Sequence, residues 1–328
     1  MPFECLKTTP RSVILDTDIG PDCDDVGAIA LLLSYAEDLQ FPVAGICNCT
    51  SNIHGTATLD ALLSYCGHGE IPLGMYSKSG FMEKHEKYNR YIAEHFSDKF
   101  QSGALQYLPH VAFYRSLLAK AEDRGVILVT IGMFNCLSDL LNSPPDEYSQ
   151  LSGRDLVAKK VYALVSMAAG FPEGREFNVF CDGAAAKNVF ENCPVPIFLS
   201  DYVLGKSIVS GFSEEMEQTQ ESNPIFKSYQ LYTKDNPHKE NYKNPSYDLT
   251  AVQFACEGEG DIYGLTNTGR LEFYNADPQK YPNADATRFV EDAEGNIRFL
   301  TKNIDDASIA KMLEERVYRF NINFENRN

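Results

Sequence analysis

The chain has 328 residues, 44% hydrophobic and 23% charged, with 29 Lys+Arg against 46 Asp+Glu and a net charge of −17. That composition supplies a large buried core, while so acidic a surface repels phosphate backbones and anionic lipid and argues against nucleic-acid or membrane partners. A neutral or cationic small molecule, or a metal cation, remains compatible with it.

Short apolar, β-rich runs alternate with helical patterns, the signature of a mostly parallel open sheet flanked by helices. Residues 13–16 are predicted as the first buried strand and 26–35 as the helix after it. Residues 41–47 read as a second strand, followed by a helix over 56–65. Further strands are predicted at 126–131, 161–165 and 196–199, with helices at 111–121, 137–141 and 184–190. A helix over 247–255 precedes two short strands, 262–265 and 270–273, and a helix over 304–318 closes the pattern. No repeat, linker or composition break interrupts it, so a single α/β domain over 1–328 is expected. Two polar, aromatic stretches, 76–91 and 228–246, lack a clear period and read as long loops able to cover a ligand.

The nine cysteines include no C-x-x-C pair and lie mostly in apolar runs, which predicts buried, reduced thiols rather than a disulfide framework. The six histidines are scattered, without zinc-finger spacing. No apolar run reaches the length of a membrane span, and the opening MPFECLKTTPRSVILD lacks a signal-peptide core, so cytoplasm is the default expectation.

The densest chemical signal is Asp16-Thr17-Asp18-Ile19-Gly20-Pro21-Asp22-Cys23-Asp24-Asp25, five carboxylates where the first strand meets its helix. Ligands of open parallel sheets bind beyond the carboxyl ends of the strands. Asp24 or Asp25 could simply complement a helix N-terminus, but capping leaves Asp16, Asp18 and Asp22 uncompensated. A hard divalent cation such as calcium, which takes oxygen ligands, compensates them all. An EF-hand does not fit, because Gly20 stands at the fifth loop position and Gly27 at the twelfth. Two other places could complete a cage: the end of the strand running into Gly132, and Asp248 in Pro245-Ser246-Tyr247-Asp248.

Taken together, these motifs resemble the inosine–uridine-preferring nucleoside hydrolases over nearly the whole chain. DTDIG-x-D-x-DD followed by VGAIALLL is similar to a longer form of that family's aspartate cluster. Arg175-Glu176-Phe177-Asn178, with Asp182 and Ala184-Ala185-Ala186, is similar to its EFN-x-x-x-D-x-x-AA segment, and VTIG and SYDLTAV complete the order. The resemblance implies a nucleoside hydrolase fold and calcium-dependent hydrolysis of ribonucleosides to ribose and free base. It implies that Asp18 ligates calcium and takes the proton of the attacking water. Asp25, Asp248 and the Ile131 carbonyl would complete the metal site. Asp24, Asn52, Glu176, Phe177 and Asn178 would hold the nucleoside, with Asp16 and Asp22 as acids supporting the ligands. It also implies a homodimer or homotetramer.

The chain departs from the family pattern at Gly132-Met133-Phe134-Asn135-Cys136 and at Met167-Ala168-Ala169-Gly170. It also carries Tyr247 where pyrimidine-cleaving members carry the histidine that protonates the departing base. A purine can take a proton at N7 from solvent or a neighbour, so Tyr247, read as a stacking surface for the base, points to purine nucleosides. His85 and His238 are weaker candidates for a replacement acid. Two other readings remain: a nucleoside-binding member without turnover, and a haloacid-dehalogenase-type phosphatase with Asp16 as nucleophile. The latter family wants Thr or Val where this chain has Gly20.

Overall fold

The run SVILDT forms strand β1 (Ser12–Thr17), and five of its six residues are buried because helices cover both faces of the sheet. The computed structural model describes residues 3–220, 222–234, 241–280 and 284–321. After β1 come β2 (Val43–Asn48), β3 (Leu73–Met75), β4 (Leu108–Pro109), β5 (Val126–Thr130) and β6 (Val161–Met167). The two-residue β7 (Glu173–Gly174), β8 (Ile197–Ser200), β9 (Val209–Phe212) and β10 (Tyr242–Pro245) follow. β11 (Tyr263–Leu265), β12 (Gly269–Tyr274), β13 (Ala286–Glu291) and β14 (Ile297–Lys302) lie towards the end of the chain.

Twelve strands make one sheet in the order β4-β3-β2-β1-β5-β6-β8-β14-β12-β13-β7, with β11 on β14. Pairing is parallel from β4 through β14. It turns antiparallel across β12, β13 and β7. The fold is therefore a single α/β domain with a mostly parallel sheet. Strand order runs outward from β1 through β2, β3 and β4, then restarts at β5 on the other side of β1. This reversal is a topological switch point, and it opens a crevice at the carboxyl ends of β1 and β5. Asp16 pairs with Thr130 in register, so the residues just beyond, Asp18 and Ile131, reach the crevice together.

Alternation along β1 sends Val13 and Leu15 into the core on one face and Ile14 into the core on the other. The first core holds the helices Asp24–Leu39 and Tyr247–Glu257. The second holds His110–Lys120, Asn135–Leu141 and Gly183–Asn192. The nine cysteines are thiols, and all but Cys181 are buried. No helix among the described residues is long and apolar enough to cross a membrane.

Two expectations need correction. The stretch 228–246 is not one long loop: its start belongs to the helix Pro224–Lys234, and its end is β10, paired antiparallel with β9. The buried helix face mixes Ile225, Phe226 and Tyr229 with Ser228 and Thr233, and those hydroxyls blur the apolar period. They are satisfied locally, Ser228 Oγ on Pro224 O at 2.8 Å and Thr233 Oγ1 on Tyr229 O at 2.7 Å. The expected loop 76–91 likewise ends in a helix, Asn89–Phe96.

Candidate active site

The site begins where β1 ends. Thr17 donates its hydroxyl to Asp25 and accepts the Ile19 N–H at 3.1 Å, which folds the aspartate loop back over the helix start. Gly20 has φ +142°, and a Cβ there would lie 2.7 Å from Asn89 Oδ1 and 2.9 Å from the His85 carbonyl oxygen. The loop thus lies close against the segment before Asn89. Cys23 stands at the N-cap of the helix Asp24–Leu39, which leaves Asp24 and Asp25 in its first turn, at the positive end of the helix dipole. A second helix start meets them there. Asp24 accepts the Asp248 N–H at 2.9 Å and the Asn244 amide at 3.4 Å.

Carboxylate oxygens of Asp22, Asp24, Asp25 and Asp248 all lie within 4.8 Å of one another, a set that could hold a metal ion. Asp18 stands beside them and interacts with Asp25 and Asp22. Burial holds Asp18, Asp24, Asp25 and Asp248 well above the usual carboxylate range, and mutual repulsion raises them further. Among the described residues, no Lys, Arg or His forms an ion pair with any of the five. Two helix N-termini and a few hydrogen bonds compensate only part of that charge. An all-oxygen donor set of this density fits a hard divalent cation.

The cluster opens into a cavity of about 340 Å³. Asp18, Asp22, Asp24 and Asp248 line it, with Ile131, Glu176 and Asn178. Glu176 caps the short helix Phe177–Cys181, accepting N–H groups from Asn178 at 2.7 Å and from Val179 and Ala169 at 3.1 Å. Burial still pushes its carboxyl up to about 7. Asn178 donates its amide to Met167 O at 3.1 Å and makes a 3.4 Å contact with Ile131 O. Aromatic rings of Phe177, Tyr202, Tyr232 and Tyr247 complete the lining. Burial first, then Asp24, Asp22 and Asp248, push the Tyr247 phenol up to about 12. Arg175 also lines the cavity, ion-paired with Asp285 and stacked on Phe180 at 3.5 Å from the ring centroid.

Of the residues singled out in the sequence, Asp18, Asp24, Ile131, Glu176, Phe177, Asn178, Tyr247 and Asp248 line this cavity, and Asp25 lies in the carboxylate set behind it. Asp22, expected as a supporting acid, is a full member of that set. Asn52 does not line the cavity. It caps the helix Ile53–Tyr65, accepting the His54 N–H at 2.9 Å and donating to Glu86 at 3.0 Å. Asp16 shares the strand face of Ile14 and accepts the Tyr114 hydroxyl, close to Cys47 and Cys136. His85 is exposed and absent from the lining, and His238 lies outside the described residues. Tyr202 and Tyr232 escaped notice in the sequence. Tyr202 follows β8 directly, as parallel-sheet site residues often do, whereas Tyr232 sits in the stretch whose helical period was obscured.

A model of the family described as inosine-uridine preferring nucleoside hydrolase matches residues 13–288. No curated protein matches the chain. Among solved structures, the inosine-uridine preferring nucleoside hydrolase from Bacillus anthracis is 15% identical, with a TM-score of 0.65 over 95% of this chain and 99% of that one. A purine-preferring ribonucleoside hydrolase from Gardnerella vaginalis is 14% identical, with a TM-score of 0.67 over 95% and 99%. The type III effector protein XopQ, solved with adenosine diphosphate ribose, is 12% identical, with a TM-score of 0.66 over 95% of each chain. At such identities the likeness to these structures establishes the fold.

Proposed function

The chain belongs to the inosine-uridine preferring nucleoside hydrolase family, a family of N-ribosyl hydrolases, and from that premise we propose that it hydrolyses ribonucleosides with calcium held in the aspartate cluster, purine nucleosides being preferred. The observation that carries this reading is the convergence of buried, unpaired carboxylates at the switch point, opening into a cavity of about 340 Å³. Asp18, Asp25, Asp248 and the Ile131 carbonyl would hold the ion, and Asp22, in the same carboxylate set, would be placed to join them. Bound there, calcium supplies positive charge that orients a water and the ribose hydroxyls.

The residues of the chain do the rest. The C1′–N bond breaks with its electron pair leaving on the base, which takes a proton at N7 from solvent, while ribose C1′ develops oxocarbenium character and the water adds to it, giving its proton to Asp18. Asp24, Glu176 and Asn178 grip the sugar. Glu176 is immobilised by three backbone N–H groups, so it presents a fixed edge to the ribose without a conformational search. Phe177 and Tyr247 flank the base, and Asn52 acts as the helix cap next to the site. The same reading includes assembly as a homodimer or homotetramer, which light scattering on the purified chain checks.

The test is release of ribose from inosine and uridine, in calcium and after chelation. Calcium-dependent release, faster from inosine, is expected. Binding of inosine without release would leave a nucleoside-binding protein, and release indifferent to chelation would remove calcium from the mechanism.

A further inference from the structure

On the sheet face that Ile14 shares, a second group of ligand atoms converges that the proposed hydrolysis does not use. Asp16 and Cys47 are in-register neighbours on β1 and β2, and the helix Asn135–Leu141 brings Cys136 to them. A carboxylate oxygen of Asp16 and the two sulfurs all lie within 4.8 Å of one another, and the three residues are buried. Cys49, two residues beyond Cys47, sets its thiol against the same carboxyl. Cys47 and Cys136 stand far apart in the chain, so no metal-ligand spacing marks them in the sequence.

Oxygens around these sulfurs lack partners. Tyr114 occupies Asp16 Oδ2, and among the described residues no hydrogen bond reaches Asp16 Oδ1, Thr130 Oγ1 or Asn135 Oδ1, all buried. Thr130 is the in-register neighbour of Asp16 on β5, and Asn135 directly precedes Cys136. Buried polar groups of this kind are met by an ion or an internal water. The thiols decide between the two, because sulfur is a weak hydrogen-bonding partner for water and a strong ligand for a thiophilic cation. Calcium prefers oxygen ligands and does not suit the set. Two sulfurs and a carboxylate, with a third sulfur beside them, match the donors of a tetrahedral zinc site. Donor atoms on one such ion stand about 3.3–3.8 Å apart, given bonds of about 2.0–2.3 Å, so side-chain shifts of about an ångström close it.

We propose that Asp16, Cys47 and Cys136, with Cys49 as fourth ligand, form a second metal site, for a thiophilic divalent cation of the zinc class. The fold stands without the ion, the thiols keeping their protons. On binding, the ion replaces those protons, which pass to water. It ties the ends of β1 and β2 to the helix Asn135–Leu141, directly behind Gly132, where a Cβ would lie 2.6 Å from Asp18 N and 2.7 Å from Cys49 Sγ. The role is structural and independent of the hydrolase reading.

The experiment uses the full, reduced chain, stripped by chelator and returned to saturating calcium so that the aspartate cluster is filled. Cobalt(II), a spectroscopic stand-in for zinc, is titrated in, and zinc is then added in competition. The expected result is uptake of about one equivalent of cobalt with a sulfur-to-cobalt charge-transfer band, which zinc abolishes. Cys47→Ser and Cys136→Ser should lose the band and bind zinc at least about a hundredfold more weakly, and Asp16→Asn at least about tenfold, a ligand mattering no less than its supporting partners. Cys193→Ser, at a buried thiol outside the cluster, should match the parent chain. Absence of cobalt uptake, uptake without the band, or a band that survives in both Cys47→Ser and Cys136→Ser overturns the proposal. A Cys47–Cys136 disulfide formed in place of uptake overturns it as well. The parent spectrum alone decides the matter if a variant fails to fold, and none of these outcomes touches ribose release from inosine.

Discussion

Asp16 and Asp18 are the same residue type two positions apart, both buried, yet they answer to different physics. Asp16 lies on the face of β1 that Ile14 shares, beside Tyr114, Cys47 and Cys136, with one carboxylate oxygen hydrogen-bonded and the other without a partner. Burial, opposed by the Tyr114 and Cys49 hydrogen bonds, pushes it up to about 7. A lone acid in such a place can be carried as the neutral form, with no ion required. Asp18 sits beyond the strand end among like charges, where neutralising one acid leaves the others. The contrast separates a carboxyl that the fold tolerates from carboxylates that call for a cation.

The sharpest way to break the contrast is to make both positions amides. Asp18→Asn should lower kcat on inosine by about 10²–10⁴ with the melting temperature kept, because both a ligand and the proton acceptor are lost. Asp16→Asn exchanges an acid that does not line the cavity for an amide of the same shape and should cost less than about tenfold. Comparable losses from the two variants would place Asp16 in the machinery and undo the distinction.

Calcium should act on one region and not on the other. Saturating it at about a hundred times Kd should stabilise the fold by about 2.7 kcal/mol, read as a rise in Tm. The rise should be larger at pH 8 than at pH 5, since the aspartates must be ionised to bind the ion. In Asp248→Asn the rise should shrink, whereas in Asp16→Asn it should persist in full.

The chelated protein supplies a pH test of two acids outside the aspartate set. Asp16 and Glu176 both have folded pKa values raised to about 7, so the folded state binds their protons more tightly than the unfolded chain. The stability they contribute is therefore complete below the ordinary carboxylate range and is lost as pH rises through about 7. Each group adds a slope of up to about 1.4 kcal/mol per pH unit in that window. Asp16→Asn should flatten the urea-midpoint profile between pH 5 and 7 by one such increment, and an unchanged profile would mean that Asp16 is ionised when folded.

How far this could be seen in advance depended on burial and period. β1, β2, β5, β6 and β8 were legible because strands covered on both faces read as continuous apolar runs. β14 was not: it joins β8 in parallel only after the antiparallel excursion through β11, β12 and β13, so no strand-helix-strand rhythm announces it. The aspartate loop was legible because so many like charges in one turn demand compensation. Its internal geometry was not, since which acids converge depends on how the Thr17–Asp25 hydrogen bond folds the loop. The parity of Asp16 was available from period-two alternation with Ile14, but proximity in sequence to Asp18 outweighed it.

The smallest effect separates the two uses of an aromatic side chain beside these acids. Tyr247 starts the helix that carries Asp248, and its phenol, pushed up to about 12, keeps its proton throughout the working pH range. If the ring serves as a surface for the base, Tyr247→Phe preserves that surface and should change kcat on inosine less than tenfold, the hydroxyl being dispensable. Tyr247→Ala removes the surface and should raise KM by an amount corresponding to about 1–3 kcal/mol of lost stacking. A proton donor predicts the reverse order. The Phe variant would then lose about 10² in kcat with KM little changed, because only the step in which the base departs would be slowed. The ratio of the two variants on one substrate therefore decides between a ring that holds the base and a hydroxyl that releases it.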